Sequence, residues 1–377
     1  MSRVVLGDVA EECREKYQDN GSNPAIVGLE HLTPGDIRLK EWSRDTDTTF
    51  TKAFHKGQVL FGRRRAYLKK AAVAPVDGIC SGDITVISAK PNKILPELLP
   101  FIIQNDDFFD FAVEKSAGSL SPRAKWSHLK EYEFNLPEMD KQKELAKLLW
   151  KFIDTKEAYE ELVRQTDEMV KSQFIEMFGR PGQDDKGWGL TTLGQCCMLN
   201  PRNSSECNDD MQVSFVPMPA VSDDGQIDTS EHKAYGEIRT GYTHFAENDV
   251  LFAKITPCME NGKGAVAKGL MNGIGAGSTE FHVLRPIPGK SNPYWLYELT
   301  MLDGFRDEAK SRMTGTGGQL RVPIGFLDNY PISLPPIETQ NSFETIVEQS
   351  DKSKFELNES IKELDAMYKR IIKDNLG

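Results

Sequence analysis

Arg63-Arg64-Arg65-Ala66-Tyr67-Leu68-Lys69-Lys70 puts five cations and one aromatic into eight residues, the densest basic run in the chain. Guanidinium groups contact phosphates and make bidentate bonds to guanine edges in the major groove. Arg63, Arg64, Arg65, Tyr67, Lys69 and Lys70 are therefore candidates for nucleic-acid contact; the competing reading is the solvated turn of a hairpin. A second polar, basic loop runs from Ser116 to Lys125 and offers Ser119, Arg123 and Lys125. Further on, Ser311 to Arg321 carries Arg312, Thr314, Thr316, Gln319 and Arg321 among glycines that let backbone approach a phosphate closely. Lys254, Asn261 and Lys263 lie in the segment that answers the Arg63 run. Ordinary loop polarity competes with the binding reading at all of these positions.

Patterns that could carry catalysis are weak. Gly273-Ile274-Gly275-Ala276-Gly277 has the glycine spacing of a phosphate or S-adenosylmethionine loop. Such a loop must follow a strand and open a helix, whereas this one leads into an expected strand, Glu280 to Leu284. Asn292-Pro293-Tyr294-Trp295 is close to the N-P-P-Y motif of amino-methyltransferases but lacks the second proline, and reads as a helix start. Glu260-Asn261-Gly262-Lys263 has a nuclease flavour without an acidic strand residue at matching spacing. There is no Walker A run and no H-E-x-x-H, and the six histidines form neither a triad nor a metal spacing. No catalytic residue, cofactor site or metal site is expected.

The elements that position these loops occur twice. Leu334 to Gly377 slides back by 198 positions onto Leu136 to Gly179 without a gap, with Gln340 on Gln142. Both copies open on proline and run roughly forty residues without proline or internal glycine before stopping at glycine, the punctuation of a long helix. Leu145, Phe152, Tyr159 and Thr166 recur every seven residues in the first, with Leu148, Leu149, Leu162, Val163, Met169 and Val170 between them. Phe343, Ser350, Leu357, Leu364 and Ile371 do so in the second, with Ile346, Val347, Ile361 and Met367 between. A seven-residue apolar repeat makes a narrow seam that needs a partner helix, and each copy is the obvious partner of the other.

The globular parts repeat as well. Val59 to Phe61, Ala71 to Ala74, Ile84 to Ile87 and Tyr132 to Leu136 read as strands, and Leu95 to Lys115 as helix. In the second half Asp249-Val250-Leu251-Phe252 answers Gln58-Val59-Leu60-Phe61, and Ser278-Thr279-Glu280-Phe281 answers Ser81-Gly82-Asp83-Ile84. Arg321 answers Arg123, and Tyr330 answers Tyr132. Gene duplication with loop drift explains the preserved order. The fold expected is α+β: two similar globular α/β domains, 1–137 and 180–335, alternating with two long helices, 138–179 and 336–377. The helices pair as an antiparallel coiled coil, giving a pseudo-two-fold internal repeat.

The formal net charge is −11, which argues against a general nucleic-acid glue. Residues 1–137 nevertheless balance 19 basic against 19 acidic residues, so their cations are clustered rather than abundant. The six cysteines form no CxxC pair, which points to reduced thiols in a cytoplasmic protein. No apolar run is long enough for a membrane span, and the opening residues do not read as a signal peptide.

The pattern resembles the specificity (S) subunits of type I restriction–modification systems. The residues that carry it are Leu136-Pro137-Glu138-Met139-Asp140-Lys141-Gln142, its copy Leu334-Pro335-Pro336-Ile337-Glu338-Thr339-Gln340, the Gly315 to Arg321 loop and Asp249 to Phe252. The domain–helix–domain–helix order carries it too, and the resemblance covers essentially the whole chain. It implies a non-catalytic subunit whose two target-recognition domains read a bipartite, asymmetric double-stranded DNA site. It further implies that the subunit recruits two methyltransferase (M) subunits and, through them, restriction–translocase (R) subunits. S-adenosylmethionine, Mg2+ and ATP would belong to those partners. The first half departs from the pattern with Glu138 where the second has Pro336, and with Ser121-Pro122 in place of the glycine-rich loop. The alternative is a structural coiled-coil adaptor that binds protein partners only.

Overall fold

The computed structural model describes residues 2–18, 23–45, 48–116, 122–202 and 207–377. It divides into two compact units, Met1–Glu160 with Asn358–Gly377, and Glu161–Leu357. Each unit contains one globular body and parts of both long helices, which are 40 residues each, Met139–Phe178 and Ile337–Leu376. Pro137 and Pro335-Pro336 precede them. Gly179 ends the first in the left-handed region, φ +78, where a Cβ would come within 2.8 Å of Asp185.

The globular body of the first unit begins by pairing the chain start with the strand before the helix, Ser2↔Leu136. A four-stranded antiparallel sheet follows in the order Ala10–Cys13, Ile84–Ala89, Val59–Gly62, Ala71–Val73. A three-stranded sheet orders Ala25–Val27, Gly78–Cys80, Lys52–Phe54, with the first pair parallel. The second unit repeats this. Leu190–Thr192 pairs with Pro331–Ser333, and Cys197–Leu199, Phe281–Pro286, Val250–Ala253 and Gly264–Val266 form the four-stranded sheet. The remaining sheet gains a strand, His232–Ala234, beside Gln212–Val216, Ile274–Gly277 and Thr243–Ala246.

The cores repeat down to ring contacts. Phe61 meets Phe108 edge-on at 5.6 Å, and Phe252 meets Phe305 at 5.9 Å. Tyr132 packs on Phe108 at 5.1 Å and Tyr330 on Phe305 at 4.6 Å. The apolar stretch 95–115 is not one helix but two, Leu99–Ile103 and Asp106–Glu114. Asn105 interrupts it because its side chain caps the second, accepting from the Asp107 amide at 3.3 Å.

The helix segments within each unit run antiparallel. Lys156 pairs with Asp365 at 2.8 Å in the first unit, and Lys354 with Asp167 at 2.9 Å in the second. Both lysines and both aspartates are 198 positions apart, so one ion pair is used twice. Burial pulls Lys354 down, but Asp167 and Asp351 outweigh it and hold the ammonium above its ordinary value. The helix ends are sunk in the globular cores through Leu145, Leu149, Ile372 and Leu376 in one unit, and through Val170, Phe174, Phe343 and Val347 in the other. The heptad stripe is incompletely covered: Leu148, Leu162, Met169 and Met367 are exposed. None of the described helices is long and apolar enough to cross a membrane.

Gln142 and Gln340 are the buried joints between body and helix. Gln142 Oε1 accepts from the Leu95 amide at 2.8 Å while its Nε2 donates to the Pro137 carbonyl. Gln340 Oε1 accepts from the Asn292 amide at 2.8 Å, and its Nε2 donates to the Pro335 and Lys290 carbonyls. Gln340→Leu keeps the bulk but leaves these groups unpaired. It should lower stability by about 2–4 kcal/mol, read as a lower urea midpoint for the second unit. A midpoint equal to that of the unsubstituted chain would show that the joint bears no load.

Candidate nucleic-acid interface

In each unit the structure brings together two loops that are distant in sequence. In the first, the Arg63–Lys70 loop leaves the strand Val59–Gly62 and meets the loop before Trp126. Arg64 bridges Arg123 in antiparallel register, the Arg65 amide donates to the Pro122 carbonyl, and the Ala124 amide donates to the Arg63 carbonyl. In the second, Ile255 bridges Arg321, the Thr256 amide donates to the Leu320 carbonyl, and the Val322 amide donates to the Lys254 carbonyl. The duplicated loops therefore keep duplicated backbone joints.

One carboxylate fastens each joint. Asp83 accepts from Arg123 Nε at 2.8 Å, with Arg63 and Arg64 at 3.9 and 3.8 Å. Glu280 accepts from Arg321 Nη2 at 2.7 Å and from its Nε at 2.9 Å. Arg123 holds Asp83 below the ordinary carboxylate range, and Arg321 does the same to Glu280. Both acids went unremarked as functional in the sequence. The signal was available, since they occupy matched positions just before matched strands.

The candidates divide by what their side chains already touch. Arg64, Arg65 and Tyr67 are exposed, Tyr67 by 55%. Ala66 is buried and pins their turn to the core. Arg65 and Lys69 flank that turn in the left-handed region, at φ 55 and 50, a strained conformation of the kind that clusters at binding loops. Lys69 is tied to Asp106 at 2.6 Å. Lys70 donates to the Leu29 carbonyl at 2.8 Å, and Lys263 to the Val221 and Met218 carbonyls at 2.9 and 3.3 Å. Those two lysines hold turns of their own chain, so neither presents a free cation. Arg123 and Arg321 are shared between their acids and solvent. Lys125, Asn261, Arg312, Thr314, Thr316 and Gln319 are exposed and Lys254 is half-buried. Ser119 lies outside the described residues.

The glycine-rich segment before Arg321 is not an irregular loop but an exposed β-hairpin, Thr314–Thr316 with Gln319–Arg321. Gly317 and Gly318 both take positive φ, 64 and 78, which a two-residue hairpin turn demands. Thr256 Oγ1 donates to the Gly318 carbonyl at 2.8 Å and accepts from the Leu320 amide, fixing the hairpin to the other loop. Arg306 was also missed. It is buried, stands over the Phe252 ring at 5.3 Å, and donates to the Met259 and Gly262 carbonyls, bracing the loop that bears Asn261. Burial lowers its guanidinium to about 10.

The would-be catalytic motifs have structural roles. Ile274–Gly277 is a buried central strand, not a phosphate loop. A Cβ at Gly275 would strike the Phe245 ring, and one at Gly78, in the matching strand, would strike the Phe54 ring. Asn292 caps the helix Pro293–Met301, accepting from the Tyr294 and Trp295 amides. Glu260 pairs with Lys310 at 2.9 Å. Among the described residues no group of His, Cys, Asp or Glu could hold a metal. All six cysteines are free, and burial pushes the Cys80 and Cys197 thiols up to about 12.

The chain is a tandem α+β protein in which each body presents two clasped polar loops. The model of the type I restriction modification DNA specificity domain matches residues 7–164 and again residues 186–364, and the chain belongs to that family. Two relatives from Escherichia coli are the specificity subunits of the type I restriction enzymes EcoEI and EcoAI. They are 43% identical over 159 residues and 42% identical over 163. These stretches cover 42% and 43% of this chain but only 26% and 27% of the relatives, about a quarter of their length. A chain solved in work on complex assembly and conformational transition of the type I R-M system superposes with a TM-score of 0.57 at 20% identity. That match covers 99% of this chain and 97% of the other. The S subunit of a type I system from M. genitalium superposes at 0.54 with 11% identity, covering 100% and 96%. At these identities the two structures speak for the fold alone.

Asp83→Asn and Glu280→Gln should each unfasten one joint. Amide exchange at Ala124 or Val322 respectively should rise about tenfold or more while the sheet amides stay protected. Because both carboxyls are depressed, the clasp is complete above the ordinary carboxylate range and is lost as pH falls through the lowered values. The unsubstituted chain should show the same local opening only in that acid range. Unchanged exchange in both variants would refute the clasp.

Proposed function

We propose that the chain is the non-catalytic sequence-specificity subunit of a type I restriction–modification complex. Each unit reads one half of a bipartite, asymmetric double-stranded DNA site. The observation that carries this is the pair of clasped loops repeated in both units with divergent side chains. One unit offers Arg64, Arg65 and Tyr67, and the other offers Arg312, Thr314, Thr316 and Gln319. Matched frames with unmatched side chains suit two different half-sites. The acid at each joint removes excess positive charge near the arginines, which favours a defined geometry over sequence-blind attraction.

The exposed stripe on the long helices, with Leu148, Leu162, Met169 and Met367, suits docking by other helices. Two methyltransferase subunits, and restriction–translocase subunits through them, are the partners proposed. S-adenosylmethionine, Mg2+ and ATP are assigned to those subunits.

The test is selection from a random DNA pool by this chain with a methyltransferase subunit encoded beside it. Two short blocks around a fixed spacer are expected. Replacing Arg65 and Tyr67 by Ala should degrade one block only, and replacing Thr316 and Gln319 the other. Each lost base contact should weaken binding about tenfold to a hundredfold. Each lost phosphate contact should lower the log–log salt slope by about one. A single continuous block would mean that one unit alone reads DNA. No enrichment, with partner binding intact after the arginines are neutralised, would favour the protein-only adaptor.

A further inference from the structure

In the second unit a cavity of about 520 Å³ lies against the helix Pro293–Met301, the loop Asp223–Ile227 and the adjoining long-helix segments. Glu298 lines it. The residue is only 8% exposed, and its carboxylate has neither a hydrogen bond nor an ion pair among the described residues. Its oxygens are not sealed from the cavity, so a partner that enters there can meet an acid with no hydrogen bond of its own.

The internal repeat supplies the comparison. Leu95 and Asn292 make the same amide bond to Gln142 and Gln340, and counting on from them sets Glu298 opposite Phe101. Phe101 is fully buried, 4.9 Å from Trp150 and 6.1 Å from Tyr368. The fold therefore accepts an apolar ring here, and the carboxyl is not a packing requirement. In the first unit a cation of the chain itself serves this region. Arg38 stands 4.8 Å over the Trp150 ring and pairs with Asp154 at 2.6 Å and with Glu157.

The Asp223–Ile227 loop of the second unit carries two carboxylates and no cation. The cavity's lysines are already engaged: Lys354 with Asp167 and Asp351, Lys171 with Asp303, Lys268 with Glu348. Phe355, which answers Glu157, also lines the cavity and is 66% exposed. An unmet acid beside an exposed ring is a receptor for an organic cation with an apolar stem. A metal does not fit, since no ligand cluster exists among the described residues.

We infer that this cavity receives an arginine or lysine side chain presented by a partner protein, its cationic head against Glu298 and its stem against Phe355. The exposed ring favours a side chain flanked by other protein surface over a free polyamine, which would leave Phe355 in water. The inference stands on the second unit alone and does not depend on the DNA reading.

The test titrates this chain with N-acetyl-L-argininamide, its uncharged citrulline analogue and spermidine, followed by NMR. Saturable binding of the arginine derivative alone is expected, weakened about tenfold or more by Glu298→Gln. Glu298→Phe, which copies Phe101, should abolish it. Phe355→Ala, at an exposed position where folding is not at risk, should weaken it. Burial raises the Glu298 carboxyl to about 7, with Lys354 and Lys171 opposing and Asp351 and Asp167 adding to the rise. Binding should therefore strengthen as pH climbs through that value. Equal binding of the citrulline analogue, no saturation, or indifference to both Glu298→Gln and Phe355→Ala would overturn the proposal. Tighter binding of spermidine than of the arginine derivative would overturn the protein source.

Discussion

A buried glutamine amide decides where each globular body ends and each long helix begins. The primary amide can accept and donate at once, which a carboxylate or an ammonium cannot. Gln142 and Gln340 use both functions to tie the first helical turn to the segment opening the neighbouring short helices. The geometry downstream follows. Once the helix start is fixed, 1.5 Å per residue determines which turn meets which. Lys156 can then reach Asp365, and Lys354 can reach Asp167. An apolar residue of the same size would pack but could not set this register, because hydrophobic contact is non-directional.

The same economy governs the loops. Strand ends bring Arg63 near Arg123 and Lys254 near Arg321, and unopposed cations there would repel one another. Asp83 and Glu280 turn that repulsion into a joint. Charge-assisted, partly exposed bonds of this type give geometric definition more than stability. The packing beneath supplies the rest, through Ala66 under one turn and Arg306 under the other. Arg306 stands where Phe109 stacks on Phe61 in the first unit. One unit thus stabilises its loop by an apolar contact and the other by carbonyl bonds from a buried guanidinium.

Much of the fold was legible because the repeat is punctuated by proline, glycine and glutamine, whose backbone and hydrogen-bonding roles do not depend on context. The strand cores at Val59 and Ile84, the long helices and the basic loops were all readable on that ground. The break at Asn105 was not, since an internal Asn can cap a helix or face solvent without changing the apolar pattern around it. The hairpin at Gly317-Gly318 is not legible in the sequence, because three-residue exposed strands have no buried face to impose alternation. At the candidate site, sequence alone could not separate Lys70 and Lys263 from their basic neighbours. All are cations in polar loops, and only the fold shows that these two turn inward to carbonyls.

Divergence between the halves is itself informative, because duplication gave both the same starting frame. Positions that kept their chemistry are those the frame cannot lose: the glutamine joints, the lysine–aspartate pairs, the acid at each loop joint, and the glycines at 78 and 275 under Phe54 and Phe245. Positions that changed did so in two ways. Some exchanged one way of filling space for another, as Phe109 and Arg306 did. Others, such as Arg65 and Gln319, changed at exposed loop positions. Glu298 fits neither group. It stands where Phe101 filled a core, buried yet unpaired. A shared frame makes that asymmetry meaningful, because the first unit shows the fold complete without a carboxyl at this position.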